Sequence, residues 1–340
     1  MLEGERKMEN FKFLIPEESN GVIVKNISTL RKIEENIRKV FAKYNYQETL
    51  MPTFEFMDLY RNIYKNIDYG QTYNFINDKG ENIALRWDFT VPLARFYVSQ
   101  NKEKDDIGRY SYFGSIFRKP EKLMGKMSEY YQAGIELINV PGIKGEKEIL
   151  DILIETLPYL NLKRLKIEMG SSLFFERVFE LTGKREELIE ILSKKNISEM
   201  RKFVERNKFD DKLSNLLLKL PRLCGKVTIL DSLINTLDDE KLLQALNELK
   251  KLYEIITLNN NDYEIIFDLS MVPKMQYYTG IIFKVYSEYV PDPIITGGRY
   301  DKLLEKFGKD VPAIGFAYYM DSVIKASKRE SERNVENSNN

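Results

Sequence analysis

The stretch YSYFGSIFRKPEKLMGKMSEYYQAGIELI, residues 110–138, carries the pattern that decides the fold. Its aromatic and apolar runs predict two strands joined by a polar loop. Its one arginine, Arg118, ends the first run, while Gln132 and Glu136 lie four residues apart on the second. Because strand side chains alternate between faces, we expect Gln132 and Glu136 on the same face. Two polar groups on an otherwise apolar strand indicate a pocket for a small polar ligand.

The charge balance of the chain argues against a nucleic-acid surface. The 340 residues include 52 Lys and Arg and 52 Asp and Glu, so the formal net charge is zero. Nucleic-acid binding usually requires a basic excess. The sequence also shows no signal-peptide pattern and no apolar run near the ~20 residues of a membrane span. These features predict a soluble, cytoplasmic protein that binds neither nucleic acid nor membrane.

The chain contains no histidine and only one cysteine, Cys224. A Ser-His-Asp triad, a His-ligated metal, a Cys-rich metal site and an intramolecular disulfide are therefore excluded. A protein that is made when histidine is scarce would gain from not needing it. Compositional drift is the alternative explanation.

The order of strand and helix patterns divides the chain into segments. Residues 1–170 and 259–327 carry strand signals without regular alternation of strands and helices, which predicts an α+β fold with an antiparallel sheet. Between them, residues 171–258 show helical periodicity and no strand signal, so we expect a helical insertion. Residues 328–340 are polar apart from Val335, which predicts a disordered tail.

A second polar constellation lies in LRWDFTVPLAR, residues 85–95. Asp88 and Thr90 stand where a predicted strand gives way to a helix. An acid and a hydroxyl at such a junction could bind an α-amino group. The alternative is an ordinary helix N-cap, for which both residue types are favoured.

Two further segments complete the pattern. MVPKMQYYTG, residues 271–280, contains the pair Tyr277 and Tyr278, which could line a pocket or simply pack in a strand. TGGRYD, residues 296–301, is followed by FG at 307–308 and PAIGFA at 312–317. Adjacent glycines let the backbone approach a ligand closely.

Together these segments resemble histidyl-tRNA synthetases, which have a class II aminoacyl-tRNA synthetase fold with an antiparallel sheet flanked by helices. The resemblance covers residues 13–324, nearly the whole chain. It implies that Arg118 contacts a carboxylate, that Asp88 and Thr90 meet the amino group, and that Glu136 helps to read an imidazole. Asp88 stands where that family usually has glutamate, which keeps the charge but shortens the reach. The residues expected to bind the amino acid are Asp88, Thr90, Arg118, Gln132, Glu136, Tyr277 and Tyr278.

Three positions that handle ATP in that family differ here. Pro120 replaces a glutamate, Pro273 replaces the arginine that neutralises charge during adenylate formation, and Ser322 replaces an arginine that stacks on adenine. Losing a preorganised cation beside a developing charge typically costs several kcal/mol of barrier. The chain also leaves too few residues after Gly315 for an anticodon-binding module. We therefore expect amino-acid recognition without activation.

This combination of kept and lost residues resembles the regulatory subunits of ATP phosphoribosyltransferase. The resemblance implies a non-catalytic subunit without catalytic residues, cofactor or metal. Its partner would be the short-form catalytic subunit, which joins ATP and phosphoribosyl pyrophosphate in the first step of histidine biosynthesis. The resemblance further implies a homodimer within a hetero-octamer. L-histidine would inhibit the complex from the retained pocket or from a nearby interface.

Two other functions are compatible with the sequence. One is a degenerate amino-acid-adenylating enzyme, in which Lys274 or Arg299 supplies the lost cation. Histidine-dependent exchange of pyrophosphate into ATP would favour it. The other is a binding module without a partner in the pathway, and failure to activate a short catalytic subunit would favour that.

Overall fold

The computed structural model describes residues 24–64, 67, 70–101, 106–119, 127–258, 263–272 and 277–338. The strands within these residues are β1 (Gln47–Glu48), β2 (Phe54–Phe56), β3 (Asn74–Ile76), β4 (Asn82–Leu85), β5 (Gly108–Phe117), β6 (Glu129–Ile138), β7 (Lys166–Ser171), β8 (Cys224–Gly225), β9 (Glu264–Asp268), β10 (Ile281–Tyr286), β11 (Ile295–Arg299) and β12 (Ala313–Tyr319). The α-helices are α1 (Val24–Lys43), α2 (Met57–Ile63), α3 (Thr90–Gln100), α4 (Ile143–Thr156), α5 (Ser172–Thr182), α6 (Arg185–Ser193), α7 (Ile197–Asn207), α8 (Asp211–Lys219), α9 (Thr228–Ile234), α10 (Glu240–Leu258) and α11 (Met320–Ser338).

The main sheet has nine strands in the order β1-β5-β6-β12-β11-β10-β7-β9-β8. The predicted α+β fold is confirmed, and the centre of the sheet from β5 to β7 is antiparallel as expected. The sheet as a whole is mixed, however, because β1 pairs parallel with β5 and β7 pairs parallel with β9. A parallel pair needs a long crossover connection. The helical segment between β7 and β9 supplies one.

A small antiparallel sheet with the order β2-β4-β3 lies beside the main sheet. The buried guanidinium of Arg86, just after β4, fastens it there. Arg86 Nη1 donates to the carbonyl oxygens of Met51 at 2.6 Å and Pro52 at 2.9 Å. Its Nε and Nη2 donate to the carbonyl oxygen of Ser115 in β5, at 3.1 and 2.7 Å. This clamp fixes the chain between β4 and α3, which contributes to the pocket described below.

Helices α5–α10 occupy most of the segment predicted as a helical insertion. The segment also contains β8, which pairs antiparallel with β9 at the edge of the main sheet. The prediction that strands are absent from it is therefore wrong, because a strand of two residues leaves no alternating pattern in the sequence. Apolar side chains of these helices, such as Leu217 and Leu249, belong to the same buried cluster as Phe283 of the main sheet. The domain boundaries at 171 and 258 stay a prediction.

The C-terminal segment differs from its prediction. Helix α11 continues to Ser338, so the expected disordered tail from residue 328 is wrong as far as the structure describes it. Val323 and Ala326 are buried in its first half. Further along, both carboxylate oxygens of Glu330 accept the backbone N–H of Lys163, at 2.9 and 3.2 Å. A polar sequence is thus ordered by a few anchored side chains rather than by an apolar face.

Among the described helices, none is long and apolar enough to cross a bilayer.

Candidate functional site

A pocket opens over the centre of the main sheet, bordered by β5, β6, β11, β12, the start of α3 and the residues before β10. Counted to the solvent at its mouth, the empty space is about 440 Å³. All seven residues expected from the sequence line it, namely Asp88, Thr90, Arg118, Gln132, Glu136, Tyr277 and Tyr278. Their convergence in one pocket is what the resemblance to histidyl-tRNA synthetases implied.

Other lining residues were not predicted individually. They are Phe89, Tyr112, Thr296, Gly298, Tyr300, Gly315, Phe316, Ala317 and Tyr319. Most follow a period of two along β11 and β12, so strand alternation outward from the glycine motifs could have found them. Tyr112 on β5 carries no such signal, because an aromatic residue in a strand usually belongs to the core.

Glycines make room for the polar side chains of the pocket. Gly315 on β12 lies directly opposite Glu136 on β6 and Gly298 on β11. A Cβ at Gly315 would lie 1.9 Å from Glu136 Oε2, and one at Gly298 would lie 2.7 Å from the Tyr278 ring. Neither position can carry a side chain without displacing a pocket residue. The sequence predicted that the glycine backbone comes close to a ligand. In the structure, the side chains close to these two glycines are those of Glu136 and Tyr278.

Glu136 is a buried carboxylate surrounded by hydroxyl groups. Its Oε1 accepts from Thr90 Oγ1 at 2.7 Å and from the Tyr112 hydroxyl at 3.4 Å, and its Oε2 accepts from the Tyr300 hydroxyl. Burial raises the pKa of Glu136 to about 7, although the hydrogen bonds from Tyr300 and Thr90 lower it. None of the ion pairs in the described parts of the chain includes Glu136. Its charge can therefore be balanced by a proton or by a donor group of a ligand.

Asp88 both caps α3 and lines the pocket. Its Oδ1 accepts the backbone N–H of Val91 at 2.8 Å, and its Oδ2 accepts from the Tyr64 hydroxyl. The capping alternative is thus correct for Asp88, yet the same carboxylate faces the cavity. Burial raises the pKa of Asp88, while the hydrogen bonds from Tyr64 and Val91 and the positive charge of Arg118 lower it. The Thr90 hydroxyl donates to Glu136 and does not cap the helix.

Arg118 supplies the positive charge of the pocket. Its Nε donates to the carbonyl oxygen of Trp87 at 3.0 Å, and its guanidinium lies 4.3 Å from the centroid of the Trp87 ring. Among the residues that the structure describes, no carboxylate forms an ion pair with it. A guanidinium has five N–H donors and is well suited to a carboxylate or phosphate. Arg118 can therefore meet an oxyanion in the pocket.

The predicted tyrosine pair forms part of an aromatic wall. The ring centroid of Tyr277 lies 5.3 Å from that of Tyr278, 5.7 Å from that of Tyr300 and 5.8 Å from that of Tyr64. These separations are typical of interacting aromatic pairs. The wall offers an apolar surface beside the two carboxylates.

Arg299 does not supply a replacement for the lost catalytic cation. Its Nε donates to Glu146 at 2.9 Å, its Nη1 to Asp301 at 3.1 Å and its Nη2 to the carbonyl oxygen of Gly142 at 2.9 Å. Its two neighbours along the chain line the pocket, so alternation turns Arg299 to the opposite face. The prediction that Arg299 could act there is wrong, because its guanidinium is bound to structural acceptors.

Of the three positions that handle ATP in histidyl-tRNA synthetases and differ in this chain, the structure describes one, Ser322. Ser322 lies in the first turn of α11 and is not among the lining residues of the pocket. Pro120, Pro273 and Lys274 lie outside the described residues. Within the described ranges, no cluster of Cys, Asp and Glu is placed to hold a metal ion.

Comparison with known proteins agrees with this fold and site. The family model described as "Histidyl-tRNA synthetase" matches residues 21–323. A solved structure titled as an ATP phosphoribosyltransferase regulatory subunit/histidyl-tRNA synthetase from Bacillus halodurans C superposes with a TM-score of 0.84 at 26% identity. That superposition covers 93% of this chain and 83% of the other. Fold and pocket thus define a protein of the histidyl-tRNA synthetase class.

Relatives with higher sequence identity indicate which family within this class the chain belongs to. An ATP phosphoribosyltransferase regulatory subunit from Lactococcus lactis subsp. cremoris (strain SK11) is 42% identical over 322 residues, which cover 94% of this chain and 98% of the relative. The chain belongs to the family of ATP phosphoribosyltransferase regulatory subunits, as its sequence resemblance predicted. It is a regulatory subunit rather than an enzyme.

A third comparison shows the fold alone. The structure titled "ATP phosphoribosyl transferase (HisG:HisZ) complex from Thermotoga maritima" has a TM-score of 0.66 at 16% identity, covering 86% of this chain and 97% of that one.

Proposed function

We propose that this chain binds L-histidine in the pocket over the main sheet and confers feedback regulation on ATP phosphoribosyltransferase, in the first step of L-histidine biosynthesis. The observation that carries the proposal is the charge pattern of the pocket. One guanidinium, Arg118, and two buried carboxylates, Asp88 and Glu136, line the same cavity. An amino acid with a side chain that donates a hydrogen bond is complementary to this pattern.

Each polar group of histidine has a partner of suitable chemistry. The α-carboxylate can meet the Arg118 guanidinium, whose planar fork matches two carboxylate oxygens. The ammonium group can meet Asp88. An imidazole N–H can donate to Glu136, with Gln132 on the same face of β6. The rings of Tyr277 and Tyr278 can pack against the imidazole.

The partner in this proposal is the short-form catalytic subunit. The relatives are named regulatory subunits, a name that presupposes a catalytic one, and the Thermotoga maritima structure is titled as a complex. We further propose a homodimer within a hetero-octamer, and a location in the cytoplasm. The zero net charge supports a role without nucleic acid. A difference in histidine affinity of about 1–3 kcal/mol between active and inactive states would give roughly 5–150-fold control.

The test combines binding and activity. L-histidine is titrated calorimetrically into the chain alone and into its mixture with a short catalytic subunit, and the phosphoribosyltransferase activity of the mixture is then measured. We expect binding by the chain alone, and activity that depends on the mixture and is inhibited by histidine. No binding and no activation, together with histidine-dependent pyrophosphate exchange by the chain alone, would instead indicate a surviving synthetase-like enzyme.

Two variants locate the effector site. Arg118→Ala and Glu136→Ala are each expected to raise the histidine concentration for half inhibition at least about tenfold, because each removes a charge-assisted hydrogen bond. Both should leave assembly with the catalytic subunit intact. Arg185→Ala and Glu176→Ala are matched controls, since these residues form an exposed ion pair on the helical segment. Unchanged inhibition in both pocket variants would place the effector site elsewhere.

A further inference from the structure

Tyr64 stands just behind the pocket and is not among its lining residues. It directly follows α2, and its backbone N–H donates to the carbonyl oxygen of Tyr60 at 2.8 Å. Its side chain is buried, with the ring centroid 4.8 Å from that of Trp87 and 5.8 Å from that of Tyr277. The ring thus contacts Trp87 and Tyr277, and Tyr277 lines the pocket. Its hydroxyl reaches the pocket through Asp88, and it also makes a side-chain hydrogen bond with Tyr277.

The hydroxyl of Tyr64 completes the environment of the Asp88 carboxylate. Oδ2 accepts from Tyr64 and Oδ1 accepts the N–H of Val91. Two donors on different oxygens fix both the position and the rotation of the carboxylate. Each oxygen still has a second lone pair that can accept from a ligand. Asp88 is therefore held in one orientation with acceptor capacity remaining.

We propose that Tyr64 is a positioning residue, which holds the Asp88 carboxylate where it meets the ammonium group of the bound amino acid. The inference rests on the proposed histidine site. An aspartate side chain is one methylene shorter than glutamate, so it has one torsion fewer with which to bring its oxygens to a ligand. The hydrogen bond from the Val91 N–H alone would leave the carboxylate able to rotate about the line of that hydrogen bond. Tyr64 removes this freedom.

The same hydrogen bond affects the protonation of Asp88. Burial raises the pKa of Asp88, and the bond from Tyr64 opposes this by stabilising the charged form. Loss of the hydroxyl would raise the pKa further, so Asp88 would take up a proton at a higher pH. The titratable groups that face Asp88 from the surrounding elements are Glu55, Tyr60, Tyr64, Tyr112, Arg118, Glu136, Tyr277 and Tyr278.

The decisive experiment compares two ligands on the Tyr64→Phe variant of the full chain. L-histidine has the ammonium group, whereas 3-(imidazol-4-yl)propionate lacks it and is otherwise the same. We expect Tyr64→Phe to weaken histidine binding about fivefold to twentyfold, in the range of a charge-assisted hydrogen bond. Binding of the propionate should be unchanged. The histidine deficit should grow as the pH falls, because the variant protonates Asp88 earlier.

Controls separate positioning from a general loss of packing. Tyr46→Phe also removes a buried hydroxyl that donates to a carboxylate, Glu148 at 2.9 Å, away from the pocket. It should change neither ligand's affinity. Tyr64→Met, which keeps an apolar side chain of similar length, repeats the test if Tyr64→Phe does not fold.

Three outcomes would overturn the inference. Equal weakening of both ligands would mean a structural role only, and unchanged histidine affinity would mean no role. If the unaltered chain failed to bind histidine, the proposed effector site would fall and this inference with it. Histidine binding by the unaltered chain without selective loss in the variant overturns the role of Tyr64 alone.

Discussion

Glu136 combines two properties that are rarely found together in a folded protein. It is only 2% exposed, and within the described residues it has hydroxyl partners but no ion-pair partner. A buried carboxylate of this kind is costly unless a proton or a ligand neutralises it. The pocket is therefore least stable, and most in need of a cationic or donor ligand, when Glu136 is ionised.

This position makes the stability of the chain depend on pH. Burial raises the pKa of Glu136 to about 7 from its ordinary value of 4.5. Between these pH values the folded state holds a proton that the unfolded state has lost, so the free energy of unfolding falls as the pH rises. The part of this decrease in the free energy of unfolding that is due to Glu136 should be about 3 kcal/mol between pH 4.5 and 8. Urea unfolding of Glu136→Gln, measured across this range, should lack that decrease.

The matched control is Glu176→Gln, which alters an exposed carboxylate of the helical segment. It should keep the pH dependence of the unaltered chain. A Glu136→Gln variant whose stability varied with pH as the unaltered chain does would show that Glu136 is not the group responsible. The same variant should bind histidine more weakly, because a neutral amide replaces the carboxylate.

Single residues also show where sequence reasoning succeeded and where it stopped. The resemblance to histidyl-tRNA synthetases was sufficient to place Asp88, Arg118 and Glu136 in one pocket, whereas strand alternation by itself predicted only that Gln132 and Glu136 share a face. Tyr64 was not found, since it follows a short helix and does not line the pocket itself but contacts Asp88 and Tyr277 from behind. Hydroxyl donors on aromatic residues give no signal distinct from ordinary core packing.

At the scale of elements, the strands that form the pocket followed from alternation and turn residues, but α11 did not. Its first half buries Met320, Val323 and Ala326, but the sequence from residue 328 lacks the apolar stripe that identifies an amphipathic helix. The helix is anchored through side-chain bonds to distant loops. Glu330 accepts the backbone N–H of Lys163, and Arg329 Nη1 donates to the carbonyl oxygen of Tyr289 at 2.7 Å. Such long-range partners cannot be deduced from local periodicity.

These anchors predict the effect of shortening the helix. Deletion of residues 328–340 should lower the free energy of unfolding by about 1–3 kcal/mol, because the N–H of Lys163 loses its acceptor. Urea unfolding measures this difference. Deletion of residues 335–340 keeps Arg329 and Glu330 and is the matched control, with an expected change within about 0.5 kcal/mol. Equal stability of the two shortened chains would mean that the anchors contribute nothing.

For the whole molecule, the pocket lies where two buried clusters meet. Phe316 belongs to the cluster that includes the helical segment, whereas Phe89, Tyr112 and Tyr300 belong to the cluster around α3 and the small sheet. A ligand held between them contacts side chains of both. Because packed clusters move as units rather than deform continuously, a bound ligand can favour one relative placement over another. This gives the proposed regulation a physical basis, since a ligand shifts an equilibrium only by its differential affinity for the two states.

Linkage then predicts a reciprocal effect in the complex. If histidine weakens the binding of substrates to the catalytic subunits, the substrates must weaken the binding of histidine by the same factor. We expect ATP and phosphoribosyl pyrophosphate at saturation to lower the histidine affinity of the complex by roughly 5–150-fold. Calorimetric titration of histidine into the complex, with and without both substrates, measures that factor. The isolated chain is the control, and its histidine affinity should not respond to the substrates, since they bind the partner. An equal affinity of the complex in both titrations would exclude regulation through substrate binding, and inhibition would then have to act on the catalytic step alone.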